Sequence, residues 1–135
     1  LLVNGLAGGR ITTEWKLGEA PPVVCSTDQM TTALGNLFRN AVSAIDGEGS
    51  IEVSTSGEQG SVEIRIHDTG RGMRADEAAT SFEPGFKVEN GRVLGGNWSL
   101  FTTRQIIHEH GGEIWIETAP GEGTTVHVRL PALRD

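Results

Sequence analysis

One cysteine, Cys25, in 135 residues leaves no intrachain disulfide to staple this chain and no cysteine cluster to hold zinc. No apolar run approaches the ~20 residues a membrane-spanning helix needs, and no signal-peptide pattern opens the sequence. Positive charge is scarce: 11 lysines and arginines against 18 acidic residues leave a formal net charge of −7. That balance argues against a basic face for nucleic acid. The common phosphate-binding and metal signatures are missing as well, with no G-x-x-x-x-G-K-[ST], no G-x-G-x-x-G after a strand and no H-E-x-x-H. His67, His108, His110 and His127 are scattered and form no ligand cluster. A soluble, cytoplasmic domain without direct membrane insertion is expected, and its parent protein can be membrane-anchored. Cys25 follows Val23 and Val24 and is expected to be a small buried hydrophobe.

What the chain does have is glycine, 19 residues of it, grouped in turn-like clusters, with an apolar share of 36% that suits one globular domain. Residues from Arg10 to Leu17 alternate, with Ile11, Thr13, Trp15 and Leu17 on one side, and predict a half-buried strand. Val23 to Cys25 predicts a second, short strand. Ser26, Thr27 or Asp28 can then cap a helix. Met30, Ala33, Leu34, Leu37, Phe38, Ala41, Val42 and Ile45 fall on one broad stripe of that helix, and Gly47 and Gly49 end it.

Ile51, Val53 and Thr55 alternate, as do Val62, Ile64 and Ile66, with a turn between them, which predicts a hairpin. From Thr69 to Ser99 periodicity dissolves, apart from a helical turn around Ala75 to Ala79. Leu100 to His110 predicts a second helix, closed by Gly111-Gly112. Two further alternating strands flank a turn at Pro120 to Gly123. Strands joined by short turns, with helices left to cover one face, give an α+β two-layer sandwich rather than a doubly wound parallel sheet.

Three constellations can carry chemistry. Asn36 and Asn40 stack at i, i+4 along the polar border of the first helix, and an amide oxygen is a hard ligand suited to Mg²⁺. The run His67-Asp68-Thr69-Gly70-Arg71-Gly72-Met73 follows a strand, where Asp68 can accept a hydrogen bond and the glycines let a flat ligand approach. The loop from Phe82 to Asn97 holds Lys87, Arg92, Gly91, Gly95 and Gly96 ahead of a helix N-terminus, an arrangement that suits phosphate. Taken singly, each pattern is equally compatible with solvated side chains and ordinary turns.

Taken in order, these pieces resemble the ATP-binding (Bergerat-fold) domain of the GHKL superfamily, which includes gyrase, the heat-shock chaperone, histidine kinases and mismatch-repair ATPases. Leu34-Gly35-Asn36-Leu37-Phe38-Arg39-Asn40-Ala41 resembles the N box of sensor histidine kinases. Asp68-Thr69-Gly70-Arg71-Gly72-Met73 is similar to the G1 box, and Phe82-Glu83-Pro84-Gly85-Phe86 to the F box. Ile106 to Gly112 resembles the histidine-kinase segment after the G2 box, and Gly121 to Pro131 its closing hairpin. One stretch departs from the family pattern. Asn97 and Ser99 stand where glycines are usual, with Trp98 between them.

The resemblance implies a mostly antiparallel mixed sheet covered on one face by helices, with a long ATP lid, and ATP and Mg²⁺ as cofactors. Asn40 would coordinate the cation with Asn36 beside it, and Lys87 would assist in catalysis. Asp68, Gly70, Gly72, Met73, Phe82, Lys87, Arg92, Gly95, Gly96, Leu100 and Thr124 would contact the nucleotide. The residue matching Asn36 is a glutamate in hydrolytic relatives, and an amide cannot act as a general base, so transfer rather than hydrolysis is implied. The implied partners are a dimerisation domain carrying the phosphoacceptor histidine and a response regulator receiver domain. No acceptor-histidine helix pattern occurs here, so the chain is expected to be a fragment whose acceptor helices lie N-terminal to Leu1. Two alternatives stay open: a degenerate docking module that has lost nucleotide binding, and an anti-sigma-type serine kinase.

Overall fold

The computed structural model describes residues 2–4, 10–83, 88–90, 92–93 and 99–133. Its main sheet has six strands in the order β1-β2-β3-β4-β8-β7. The strands are β1 (Leu2–Asn4), β2 (Arg10–Leu17), β3 (Gly49–Glu58), β4 (Ser61–Asp68), β7 (Glu113–Thr118) and β8 (Thr124–Pro131). β5 (Val88–Glu89) and β6 (Arg92–Val93) form a separate antiparallel pair. The helices are α1 (Thr27–Ala44), α2 (Ala75–Ala79) and α3 (Ser99–Glu109). β2 and β3 run parallel and are joined across α1, while every other pairing in the main sheet is antiparallel.

One face of the sheet is apolar and carries the helices. Ile11, Ile51, Val53, Ile66, Val126 and Val128 from the strands pack against Met30, Ala33, Leu37 and Ala41 of α1 and Ile106 and Ile107 of α3. Each of the valine, leucine, isoleucine and methionine side chains contributes about 1.5–3 kcal/mol on burial. The opposite face holds Glu52, Glu63, Arg65, His67, His127 and Arg129, with ion pairs such as Lys16–Glu52 at 3.3 Å in solvent.

Local chemistry explains the element ends. Ser26 caps α1 by accepting the Gln29 N–H at 3.3 Å, and Asp28 lies in the first turn, where negative charge suits the helix dipole. The β3–β4 hairpin turns at Gln59 and Gly60, with φ of 48° and 80°, the two positive values of a type I′ turn whose twist matches its strands. α3 closes with the Gly112 N–H donating to the Ile107 carbonyl at 2.9 Å and the Gly111 N–H to that of His108 at 3.0 Å. This is the paired-bond end that a glycine in the left-handed region allows.

The region from 18 to 26 corrects an expectation. Val23 to Cys25 is irregular chain rather than a strand, Val24 is 72% exposed, and Cys25 is exposed rather than buried. The two preceding prolines lack N–H donors, which disfavours a ladder at the start of the segment. It is held instead by the Leu133 N–H, which donates to the Pro22 carbonyl at 2.7 Å, and by Val23 resting on the core. Most of the expected lid falls elsewhere: Lys87, Gly91, Gly95, Gly96, Asn97 and Trp98 lie outside the described residues, and Arg92 is described only as a strand residue.

Candidate functional site

Between α1, the end of β4 and the β7–β8 pair lies a cavity of about 210 Å³. Its lining is largely apolar, with Leu37, Ala41, Ile66, Ile116 and Val126, and its polar members include Asp68, Thr124 and Asn40. Whole-ligand pockets usually exceed roughly 300 Å³, so the described walls suit a flat heterocycle and part of what is attached to it.

Asp68 ends β4 directly opposite Thr124 of β8. Its Oδ1 accepts the Gly70 N–H at 2.8 Å, and the residue is only 4% exposed. Burial pushes its carboxyl above the ordinary carboxylate range, against the lowering effects of the Gly70 hydrogen bond, nearby His67, the Thr124 backbone and Arg71. A buried acceptor lining a largely apolar cavity is well placed to read the amino group of a heterocycle.

The turn after Asp68 is stitched down on three sides. The Thr69 N–H donates to the Ser50 carbonyl at 3.1 Å, the Arg71 N–H to that of Ala44 at 3.0 Å, and the Gly121 N–H to that of Arg71 at 2.8 Å. The Met73 N–H reaches Thr118 Oγ1 at 3.0 Å, and that hydroxyl lies 2.9 Å from Thr124 Oγ1. Gly72 has φ of +68°, and a Cβ there would collide with the Ala119 carbonyl oxygen. Gly70 is equally confined, by the Ala44 carbonyl. Both glycines are needed because backbone passes where a side chain would stand.

The two asparagines of α1 part company. Asn40 lines the cavity. Asn36 does not: its Nδ2 donates to Thr103 Oγ1 at 3.3 Å and to the Ser99 carbonyl at 3.5 Å, while its Oδ1 accepts from Arg39 Nη2 at 2.6 Å. Asn36 therefore bridges α1 to α3, with both polar atoms of its amide engaged. Asn40 meets the Ser99 hydroxyl, with Nδ2 3.1 Å from Ser99 Oγ and Oδ1 3.2 Å from it.

Among the residues expected from sequence, the cavity brings together Asn40, Asp68, Gly72, Met73, Leu100 and Thr124. Gly70 supports Asp68 from behind. Phe82 stands apart with the Arg104 guanidinium 5.5 Å from its ring centre. Lys87, Gly95, Gly96 and the Arg92 side chain lie outside what is described. Sequence reasoning missed the apolar lining, because periodicity marks Leu37, Ile66 and Val126 as core without separating cavity wall from close-packed interior. It also missed Thr103 and Thr118 and named Ser99 only as a departure from the family's glycines, because the parts of all three depend on contacts more than 40 residues away. No group of three or more His, Cys, Asp or Glu forms a metal cage among the described residues.

A helix-backed mixed sheet, with a buried carboxylate and a carboxamide lining one largely apolar cavity, defines an α+β domain with a site suited to a small, partly polar ligand. The description of the family matching residues 25–134 is histidine kinase-, DNA gyrase B-, and HSP90-like ATPase, and the chain belongs to that family. Among curated relatives, the sensor histidine kinase ZraS of Escherichia coli is 32% identical over 111 residues, covering 82% of this chain and 23% of that protein. Sporulation kinase E of Bacillus subtilis is 33% identical over 117 residues, covering 85% of this chain and 15% of that protein. The solved mycobacterial sensor histidine kinase MprB superposes with a TM-score of 0.72 at 26% identity, covering 90% of this chain and 81% of that one. The chain thus spans about a quarter or less of the length of those two curated relatives.

Proposed function

We propose that the chain holds Mg-ATP and presents its γ-phosphoryl group to a histidine on a separate dimerisation domain, as the cytoplasmic ATP-binding part of a sensor histidine kinase. In that transfer the histidine nitrogen attacks the γ-phosphorus, the bridging P–O bond to the β-phosphate breaks, and ADP leaves. A response regulator receiver domain would take the phosphoryl group next.

The observation that carries this reading is that Asp68 and Asn40 line one largely apolar cavity. Asp68 would accept from the adenine amino group, and Gly72 and Met73 would let the ring lie flat against backbone. Asn40 offers a neutral carboxamide oxygen, which fits Mg²⁺, an ion held commonly by one or two protein oxygens together with substrate phosphates. Bound there, the cation would neutralise phosphate charge.

Asn36 favours transfer over hydrolysis. Its amide cannot take a proton from water, and both its polar atoms are already engaged by Thr103, Ser99 and Arg39. Catalysis by such a site is positioning and charge neutralisation, with Lys87 and Arg92 as the further cations that the family resemblance suggests.

The test is ligand-dependent thermal unfolding with and without Mg-ATP. At 100 times its Kd, ATP should stabilise the wild type by about 2.7 kcal/mol, and Asp68→Asn should show no shift. Equal stabilisation of the variant would overturn the adenine assignment. No shift in the wild type would favour a docking module without nucleotide. Phosphotransfer itself is read by labelling a separately produced dimerisation domain with radioactive ATP.

A further inference from the structure

The Ser99 hydroxyl contacts both polar atoms of the Asn40 carboxamide, at 3.1 Å from Nδ2 and 3.2 Å from Oδ1. The hydroxyl therefore meets a residue that lines the cavity. It is also held in place. Ser99 begins α3, and its carbonyl accepts from Asn36 Nδ2 at 3.5 Å, tying its backbone to α1.

Magnesium holds oxygen ligands in a near-ideal octahedron at about 2.0–2.1 Å, which sets neighbouring ligand oxygens about 2.9 Å apart. The 3.2 Å between Ser99 Oγ and Asn40 Oδ1 is close to that spacing. A serine hydroxyl has one donor hydrogen and two lone pairs, and the hydrogen turns freely about the Cβ–Oγ bond. Rotating it away from Oδ1 converts Oγ from a donor into a ligand with little movement of any heavy atom.

We propose that Ser99 supplies a second protein oxygen to the Mg²⁺ that accompanies the nucleotide, next to Asn40 Oδ1. This rests on the reading that Asn40 holds that cation. The two oxygens form adjacent corners of the shell, and phosphate and water oxygens complete it. The α1–α3 junction then senses the metal, because one ligand comes from each helix.

The test measures the affinity of a fluorescent ATP analogue in EDTA and across a Mg²⁺ titration. The proteins are the wild type, Ser99→Ala and Ser99→Cys, all carrying Cys25→Ala because Cys25 is exposed and would bind soft metals itself. In EDTA the three affinities should agree within about twofold. Ser99→Ala should need about tenfold more Mg²⁺ to reach half-effect, the size of one lost ligand worth about 1.4 kcal/mol. Ser99→Cys should show the same loss with Mg²⁺ and recover with Cd²⁺, which prefers a thiolate, and that recovery distinguishes direct ligation from a structural role. An unchanged or lower Mg²⁺ midpoint in Ser99→Ala overturns the proposal, as does absence of Cd²⁺ recovery in Ser99→Cys. Nucleotide binding by the wild type that ignores Mg²⁺ overturns the Asn40 reading as well, so the two failures are distinct.

Discussion

The surroundings of Asp68 and of Asn40, both on the cavity wall, are built from different materials. On the Asp68 side, position is set by backbone: the β4–β8 ladder places Asp68 opposite Thr124, and main-chain hydrogen bonds clamp the following turn to α1, β3 and the β7–β8 connection. On the Asn40 side, position is set mainly by side chains, through amide and hydroxyl contacts between α1 and α3 and one amide bond to the Ser99 carbonyl. A ladder is cooperative and gives way only with the sheet. A side-chain hydrogen bond contributes about 1 kcal/mol net and can be exchanged for a ligand contact. The first side is a fixed mould for a rigid base, and the second is a set of groups able to rearrange around phosphates and a cation.

The largest effect expected from breaking this contrast is at Gly72. Gly72→Ala places a Cβ against the Ala119 carbonyl at a φ of +68°, and should cost about 2–3 kcal/mol in denaturant unfolding together with loss of nucleotide binding. A change under about 0.5 kcal/mol would show that the turn is soft and the contrast wrong.

Next in size are the two asparagines, which should separate cleanly. Asn36→Ala leaves the buried Thr103 hydroxyl without that donor and should cost about 1–2 kcal/mol of stability. Asn40→Ala removes only contacts to the part-buried Ser99 hydroxyl and should cost less, about 1 kcal/mol or under, but weaken Mg-nucleotide affinity about tenfold, an effect absent in EDTA. Swapped outcomes would move the cation site to Asn36.

Acidification sharpens the comparison further. Burial raises the Asp68 pKa, so nucleotide affinity should begin to fall at a higher pH than for an ordinary aspartate, as the acceptor carboxylate is protonated. For the fold the sign is opposite. A raised carboxyl pKa adds stability that is full below the unfolded value of about 3.9 and is lost as pH rises through the folded one. Wild type should therefore gain stability relative to Asp68→Asn on acidification while losing ligand. Parallel pH profiles for the two proteins would refute this.

The smallest effect belongs to the open face of the sheet, remote from both sides. Lys16→Ala removes an exposed ion pair to Glu52 and should shift stability by less than about 1 kcal/mol, with nucleotide affinity unchanged.

Much of this architecture was legible without coordinates. The stripe from Met30 to Ile45, the alternation on either side of Gln59-Gly60, and the Gly111-Gly112 stop each record a local physical rule, and each corresponds to an element found in the fold. Val23 to Cys25 was misread because apolar composition says nothing about whether a neighbouring strand edge exists to pair with it. The cavity lining was hidden for a related reason, since a wall residue and a core residue obey the same period.

The amino-acid sequence by itself determined the helices and the hairpin, because capping, periodicity and turn chemistry act over a few residues, and its ordered motifs carried the family resemblance that singled out Asn40 and Asp68. Tertiary structure alone decided what each asparagine does. Asn36 and Asn40 are one helical turn apart and chemically identical. Only the packing of α3 across α1 gives the first to Thr103 and leaves the second beside Ser99 on the cavity wall. Contacts spanning about 60 residues are set by how helices settle on a sheet, and no local rule encodes them.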